Sequence, residues 1–203
     1  MTTGRTRFFA IATVLVMAMG VKGQKINGHA YVDLGLSVVW ATCNVGASSP
    51  EDTGDYYGWG ATGEGSWDND NCKHYSRSIS DIGGTSSDVA HLKWGGTWRM
   101  PSASDFWELI NNCSWTFTTI NGVDGYNVKG KNGKSIFLPA AGSFEIAKLY
   151  NYCERGFYWS SSPDGTNKES AKLLYFSYEK EYYVESNERS LGYSVRPVAD
   201  KTR

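Results

Sequence analysis

Residues 156–198 read GFYWSSSPDGTNKESAKLLYFSYEKEYYVESNERSLGYSVRPV, and this stretch decides the fold. Leu174 and Phe176 alternate with Leu173, Tyr175 and Ser177, and Tyr182 and Val184 alternate with Tyr183 and Glu185. A period of two marks strands whose faces differ, and the polar segments between these runs supply the turns. The expectation is an antiparallel sheet with Tyr182 and Val184 turned inward. Its other face offers tyrosines and charges to solvent. Tyrosine suits strands for its own sake, so its enrichment fits a half-exposed sheet as well as a binding surface.

Working back from this stretch, AYVDLGLSVVWATCNV (residues 30–45) predicts two short strands, at 30–32 and 38–42, broken at Gly35. Gly, Ser, Asp and Asn then crowd the chain to about Ser87, a composition that supplies turns and buries little. So long a segment reads as a surface insertion. Residues 87–92 predict about one helical turn before the Gly95-Gly96 break. SASDFWELINNC (102–113) predicts the clearest helix. Ser102 and Asp105 have capping-box spacing, and Phe106, Leu109, Ile110 and Cys113 form one apolar stripe. Strands follow at 115–119, 126–129 and 135–139, around turns at Asn121-Gly122, Asp124-Gly125 and Asn132-Gly133. One good helix, one short one and many strands give an α+β class with antiparallel sheets.

Arg5 and Arg7 precede an apolar run from Phe8 to Met19, with small residues at Gly20 and Gly23. A basic start, a short apolar core and a small-residue exit describe a secretory signal peptide over residues 1–23. The mature domain is then 24–203, secreted, periplasmic or on the cell surface. Cleavage removes three of the 20 Lys and Arg residues and none of the 21 acidic ones, leaving a formal charge of −4. Such a balance argues against nucleic acid and anionic membrane as partners, and the apolar run is too short for a comfortable membrane span. Cys43, Cys72, Cys113 and Cys153 allow three disulfide pairings in an oxidising compartment, or free packed thiols. No CxxC pair suggests zinc.

Five phrases, YVDLGLSVVWATCNVG, DVAHLKWGGTWRMPSASDFWELINNC, SIFLPAAG, YWSSS and GYSVRPV, stand in this order along the chain. Together they resemble the exported proteins of the Fibrobacter succinogenes major paralogous domain family of gut Bacteroidetes, over nearly the whole mature chain. The resemblance implies a C-type-lectin-like fold, related to the formylglycine-generating, sulfatase-modifying branch, with the chain ends meeting in one sheet. It also extends to the target proteins of diversity-generating retroelements. That likeness would put a variable face between about Tyr175 and Tyr193, with Gly192, Ser194, Val195, Arg196 and Pro197 as framework.

The formylglycine-generating relatives need redox cysteines before their last strand, and residues 154–203 contain no cysteine. His29, His74 and His91 are too scattered in sequence to suggest an iron cluster. The Asp68-Asn69-Asp70-Asn71 run holds oxygen ligands of a kind suited to calcium but reads more simply as a turn. His91 reads as a packed ring bonded to backbone. Trp40, Trp94, Trp98, Trp107 and Trp159 read as core or subcore rings, while Trp59 and Trp67 are either exposed contacts or pins for the long loop. Arg196 is expected to pair with Asp105 or Glu108. The resulting expectation is a non-catalytic domain without cofactor or metal that binds a protein or glycan. Its ligand-binding residues would be Tyr175, Ser177, Glu179, Lys180, Tyr183, Glu185, Asn187 and Glu188. A structural module of the cell envelope is the first alternative, and an enzyme of the sulfatase-modifying branch the second.

Overall fold

The computed structural model describes residues 24–63, 75–145 and 148–201. The signal-peptide reading, Trp67, the Asp68–Asn71 run, Cys72 and His74 lie outside these residues. In chain order the elements are β1 (Lys25–Ile26), β2 (His29–Val32), β3 (Val38–Ala41), α1 (Val89–Trp94), β4 (Trp98–Arg99) and α2 (Ala103–Asn112). They continue with β5 (Cys113–Ile120), β6 (Val123–Gly130), β7 (Ser135–Pro139), β8 (Ser143–Glu145) and β9 (Lys148–Tyr150). The last four are β10 (Arg155–Pro163), β11 (Ser170–Ser177), β12 (Tyr182–Glu188) and β13 (Val198–Asp200). The class is α+β, and every paired set of strands is antiparallel.

One five-stranded sheet runs β1-β2-β3-β13-β4, so the last strand pairs between the first strands and β4. Two three-stranded sheets, β5-β6-β7 and β10-β11-β12, and the small β8-β9 hairpin complete the set. The β5–β6 hairpin turns on Asn121 and Gly122, both at positive φ, as the Asn-Gly pair predicts. At the β6–β7 turn only Gly133 takes the left-handed conformation, leaving Asn132 in ordinary backbone space. There Asn132 carries a different duty, its side-chain nitrogen donating to Asp33 O at 2.8 Å.

Both helices begin on side-chain caps. Ser102 and Asp105 form a full capping box at α2, and Asp105 also receives a hydrogen bond from Arg99 at 2.8 Å. Asp88 caps α1 and is fully buried. It accepts backbone N–H bonds from Gly84, Ala90, His91 and Met100, all between 2.8 and 3.0 Å. Burial pushes its carboxyl above the usual carboxylate range, against the pull of these four donors. His91 lies against Trp98 O at 3.2 Å, the packed arrangement expected of it.

The two cores correct the sheet reading. Tyr158, Leu174 and Phe176 face one cluster with Trp40, Phe106 and Leu109. Phe157, Trp159, Leu173 and Tyr175 face another with Trp59, Trp98, Tyr193 and Val195. Strands β10 and β11 are therefore buried on both faces. The second cover comes from Val45, Tyr57, Trp59 and Ile82 and from Tyr193 and Val195 on the return chain. Tyr57 and Tyr193 exchange backbone hydrogen bonds at 3.0 Å, and Trp59 Nε1 donates to Ser160 O at 2.7 Å. Trp59 is thus a pin, fully buried, with the Arg189 guanidinium 4.2 Å above its ring. Trp107 departs from expectation the other way: it is 47% exposed on the outer side of α2.

Arg196 is fully buried but pairs with neither Asp105 nor Glu108. Its Nε donates to Asn44 Oδ1 at 2.7 Å, and one terminal nitrogen reaches the carbonyls of Ala41 and Thr42 at 3.2 and 2.8 Å. Asp105 is engaged by Arg99, and Glu108 accepts from the backbone and hydroxyl of Ser37, the latter at 2.5 Å. Cys43, Cys113 and Cys153 are free thiols.

Candidate functional site

The expected binding residues fall into three groups. Tyr175 and Ser177 do not face solvent, being only 8% and 3% exposed, because the second core covers their side of β11. Ser177 closes the β11–β12 turn, its N–H bonding Glu181 O at 3.0 Å. Glu179 and Lys180 are exposed on that turn, Lys180 at a φ of 67°, and Tyr178 joins them in solvent. Tyr183, Glu185, Asn187 and Glu188 lie on β12, an edge strand paired only with β11.

On β12 the register reads as the alternation predicts. Tyr182 and Val184 pack toward the α2 side, with Trp115 stacked on Tyr182 at 4.8 Å. Tyr183, Glu185 and Asn187 stand on the opposite side, and Tyr183 is 40% exposed. Beneath Tyr183 lies Tyr175, its cross-strand partner, with ring centroids 5.0 Å apart. Phe157 supports Tyr175 edge-on at 5.3 Å and stacks on Tyr193 at 5.0 Å, which in turn meets Trp159 at 4.5 Å. Tyr183 is therefore the outermost ring of a continuous aromatic stack. A ring so backed has little rotamer freedom left to lose.

Polar groups surround this stack asymmetrically. Asn187 donates from its amide to the Tyr193 hydroxyl at 2.9 Å, and its own oxygen accepts from Glu188 N. Burial drives the Tyr193 hydroxyl far above its ordinary value, and the carboxylates of Glu145, Glu185 and Glu188 add to that rise. Burial also raises the Glu185 carboxyl above its usual range. No hydrogen bond or ion pair compensates it among the described residues. Strand β8 brings Glu145 in, because Phe144 and Gly192 exchange backbone hydrogen bonds at 2.8 and 2.9 Å. Arg155, across from Ser177, stands at the Tyr183 end and partly offsets the acids there.

Residue reasoning missed Phe157 and Tyr193 beneath the site and Glu145 at its side. The unbroken runs FYW and LLYF carried a signal for Phe157, since a two-sided apolar run marks a strand buried on both faces. Glu145 had no local signal, because only the docking of β8 on Gly192 places it there. Elsewhere, Glu188 helps line a separate hollow of about 290 Å³ with Tyr75, Asn167, Glu169 and Ser190. Among the described residues no group of three or more His, Cys, Asp or Glu side chains could hold a metal ion. None of the described helices is long and apolar enough to cross a membrane.

Residues 105–198 match the model of a domain of unknown function (DUF8237), a stretch that runs from α2 to the start of β13 and contains the whole aromatic stack. No curated protein and no solved structure matches the chain.

Proposed function

We propose that this chain is an exported, non-catalytic binding domain of C-type-lectin-like architecture, related to the major paralogous domain proteins it resembles. Its ligand, a protein or a glycan, seats on the outer side of β12. The observation that carries this reading is Tyr183, an exposed ring held from beneath by Tyr175, Phe157, Tyr193 and Trp159. Aromatic anchors of this kind supply large contact area at small entropic cost. The binding set contracts accordingly to Tyr183, Glu185 and the exposed turn at Tyr178, Glu179 and Lys180. Tyr175, Ser177 and Asn187 act as support. Pairing of β13 between β3 and β4 supports the lectin-like reading, since the first and last described strands then share one sheet.

The test is a glycan and protein array probed with the exported domain, with and without calcium. The same array is then probed with Tyr183→Ala. Loss of the captured ligand in that variant, with the thermal midpoint kept, is the expected result. Retention of the ligand would place the site elsewhere.

A further inference from the structure

Resting on that reading, we infer that the β12 face takes a protein segment presenting a lysine or arginine side chain, its cation seated between Glu185 and Glu145 beside the Tyr183 ring.

Three observations lead there. First, Glu185 is a half-buried carboxylate to which no described residue donates, and leaving a charge desolvated and unpaired is unfavourable. A cation arriving on this face supplies the missing partner. Second, two carboxylates stand at this end of the face. They are Glu185 and Glu145, and among the described residues the latter receives only the Ser143 hydroxyl, at 3.0 Å. The Asn187 amide, the obvious donor, already points at the Tyr193 hydroxyl. Ammonium and guanidinium groups only donate, five N–H in the guanidinium and three in the ammonium. The Tyr183 hydroxyl can donate as well as accept, so it is the pair of negative charges that favours a cationic side chain over a neutral glycan. Third, the Tyr183 ring beside Glu185 offers the π face on which such cations rest.

The positive groups nearby do not fill this role. Arg155 is exposed at the far end of Tyr183, beside Ser177, and Lys148 lies over the Tyr150 ring at 5.2 Å. Lys180 sits on the turn beyond Tyr183. They frame the acidic end and leave Glu185 for a partner.

The experiment measures affinity of the exported full chain for surface-bound Gly-Ser peptides carrying Lys, Arg, acetyl-lysine or Glu at one central position. Lysine and arginine peptides should bind, acetyl-lysine and Glu peptides should not, and binding should weaken as salt is raised. Glu185→Gln, close to isosteric, should lower affinity at least tenfold, and Tyr183→Ala similarly. Glu154→Gln, which removes the same charge from an exposed position between β9 and β10, should stay within twofold. Glu185→Lys should transfer preference to the Glu peptide. Equal losses in Glu185→Gln and Glu154→Gln would mean diffuse attraction to an acidic protein, and would overturn the assignment. So would binding of all four peptides alike, or of none. The wider binding reading fails separately, only if an array-identified ligand survives Tyr183→Ala. If that ligand is lost in Tyr183→Ala but unaffected by Glu185→Gln, the face stands and the cation does not.

Discussion

Arg196 shows how far a single residue can reach in this fold. Its guanidinium ties Asn44, Ala41 and Thr42 to the approach of the last strand, with no carboxylate involved. Arg196→Ala strands those acceptors in a dry site, and a loss of about 3 kcal/mol or more is expected in urea titration. Arg196→Lys should recover little of it, because an ammonium cannot span the same fork. Gly156 is a second such position, cross-strand from Phe176. A Cβ there would meet that ring at 2.1 Å, so Gly156→Ala should cost about 1–3 kcal/mol by overpacking. Glu185 behaves oppositely. Its folded carboxyl titrates above its unfolded value, so the ionised form is disfavoured by folding. Stability contributed by this group is full below the ordinary carboxylate range and declines as pH rises through the folded value. Glu185→Gln should therefore raise the thermal midpoint at pH 7 and lose that advantage at pH 3.5. Among the thiols, burial and the neighbouring Glu108 push Cys113 up to about 11. Its alkylation should be slow at pH 8 and still climbing above pH 10, where an ordinary cysteine has levelled off.

Among the elements, α2 is the one most completely legible in the sequence. The Ser102–Asp105 spacing and the Phe106–Leu109 stripe depend only on helical period, and both appear as expected. Ser102→Ala should cost about 0.5–2 kcal/mol, and Leu109→Ala about 2–5 kcal/mol. Trp107→Ala should cost little, its ring being on the solvent side. Equal losses for Ser102→Ala and Leu109→Ala would contradict the burial of the stripe. At β11 the same reasoning went half wrong. Leu173-Leu174-Tyr175-Phe176 is an unbroken apolar run, and alternation alone cannot say that the Tyr175 side is covered as well. That cover is non-local: it needs Trp59 and Tyr193, more than 100 and nearly 20 residues away, to fold over the strand. On β12 no described residue covers Tyr183 in this way, and there the alternation gives the right faces.

Over the whole molecule, the long Gly- and Asp-rich segment differs most from its local reading. Its composition predicts a surface insertion. Yet Tyr57, Trp59 and Ile82 from it lie in the second core, and its backbone pairs with Tyr193. Composition reports how little such a segment can bury on average, not that its few rings are the lid of a core. Trp59→Ala should therefore lower stability by about 3–5 kcal/mol. It should disturb binding only through that loss. The candidate site was legible to the extent that one strand fixes it, Tyr183 and Glu185. Tyr193 and Glu145, which give the site its floor and its acidity, arrive through tertiary pairing. The central claim is that β12 divides support from contact, and a paired melting and binding assay on Tyr183→Ala and Val184→Ala tests it most directly, using the array-identified ligand. The account predicts that Tyr183→Ala melts within a few degrees of the parent and binds at least tenfold more weakly, while Val184→Ala melts lower and binds normally once folded. Unchanged binding by Tyr183→Ala, or unfolding by Tyr183→Ala beside a silent Val184→Ala, would contradict it.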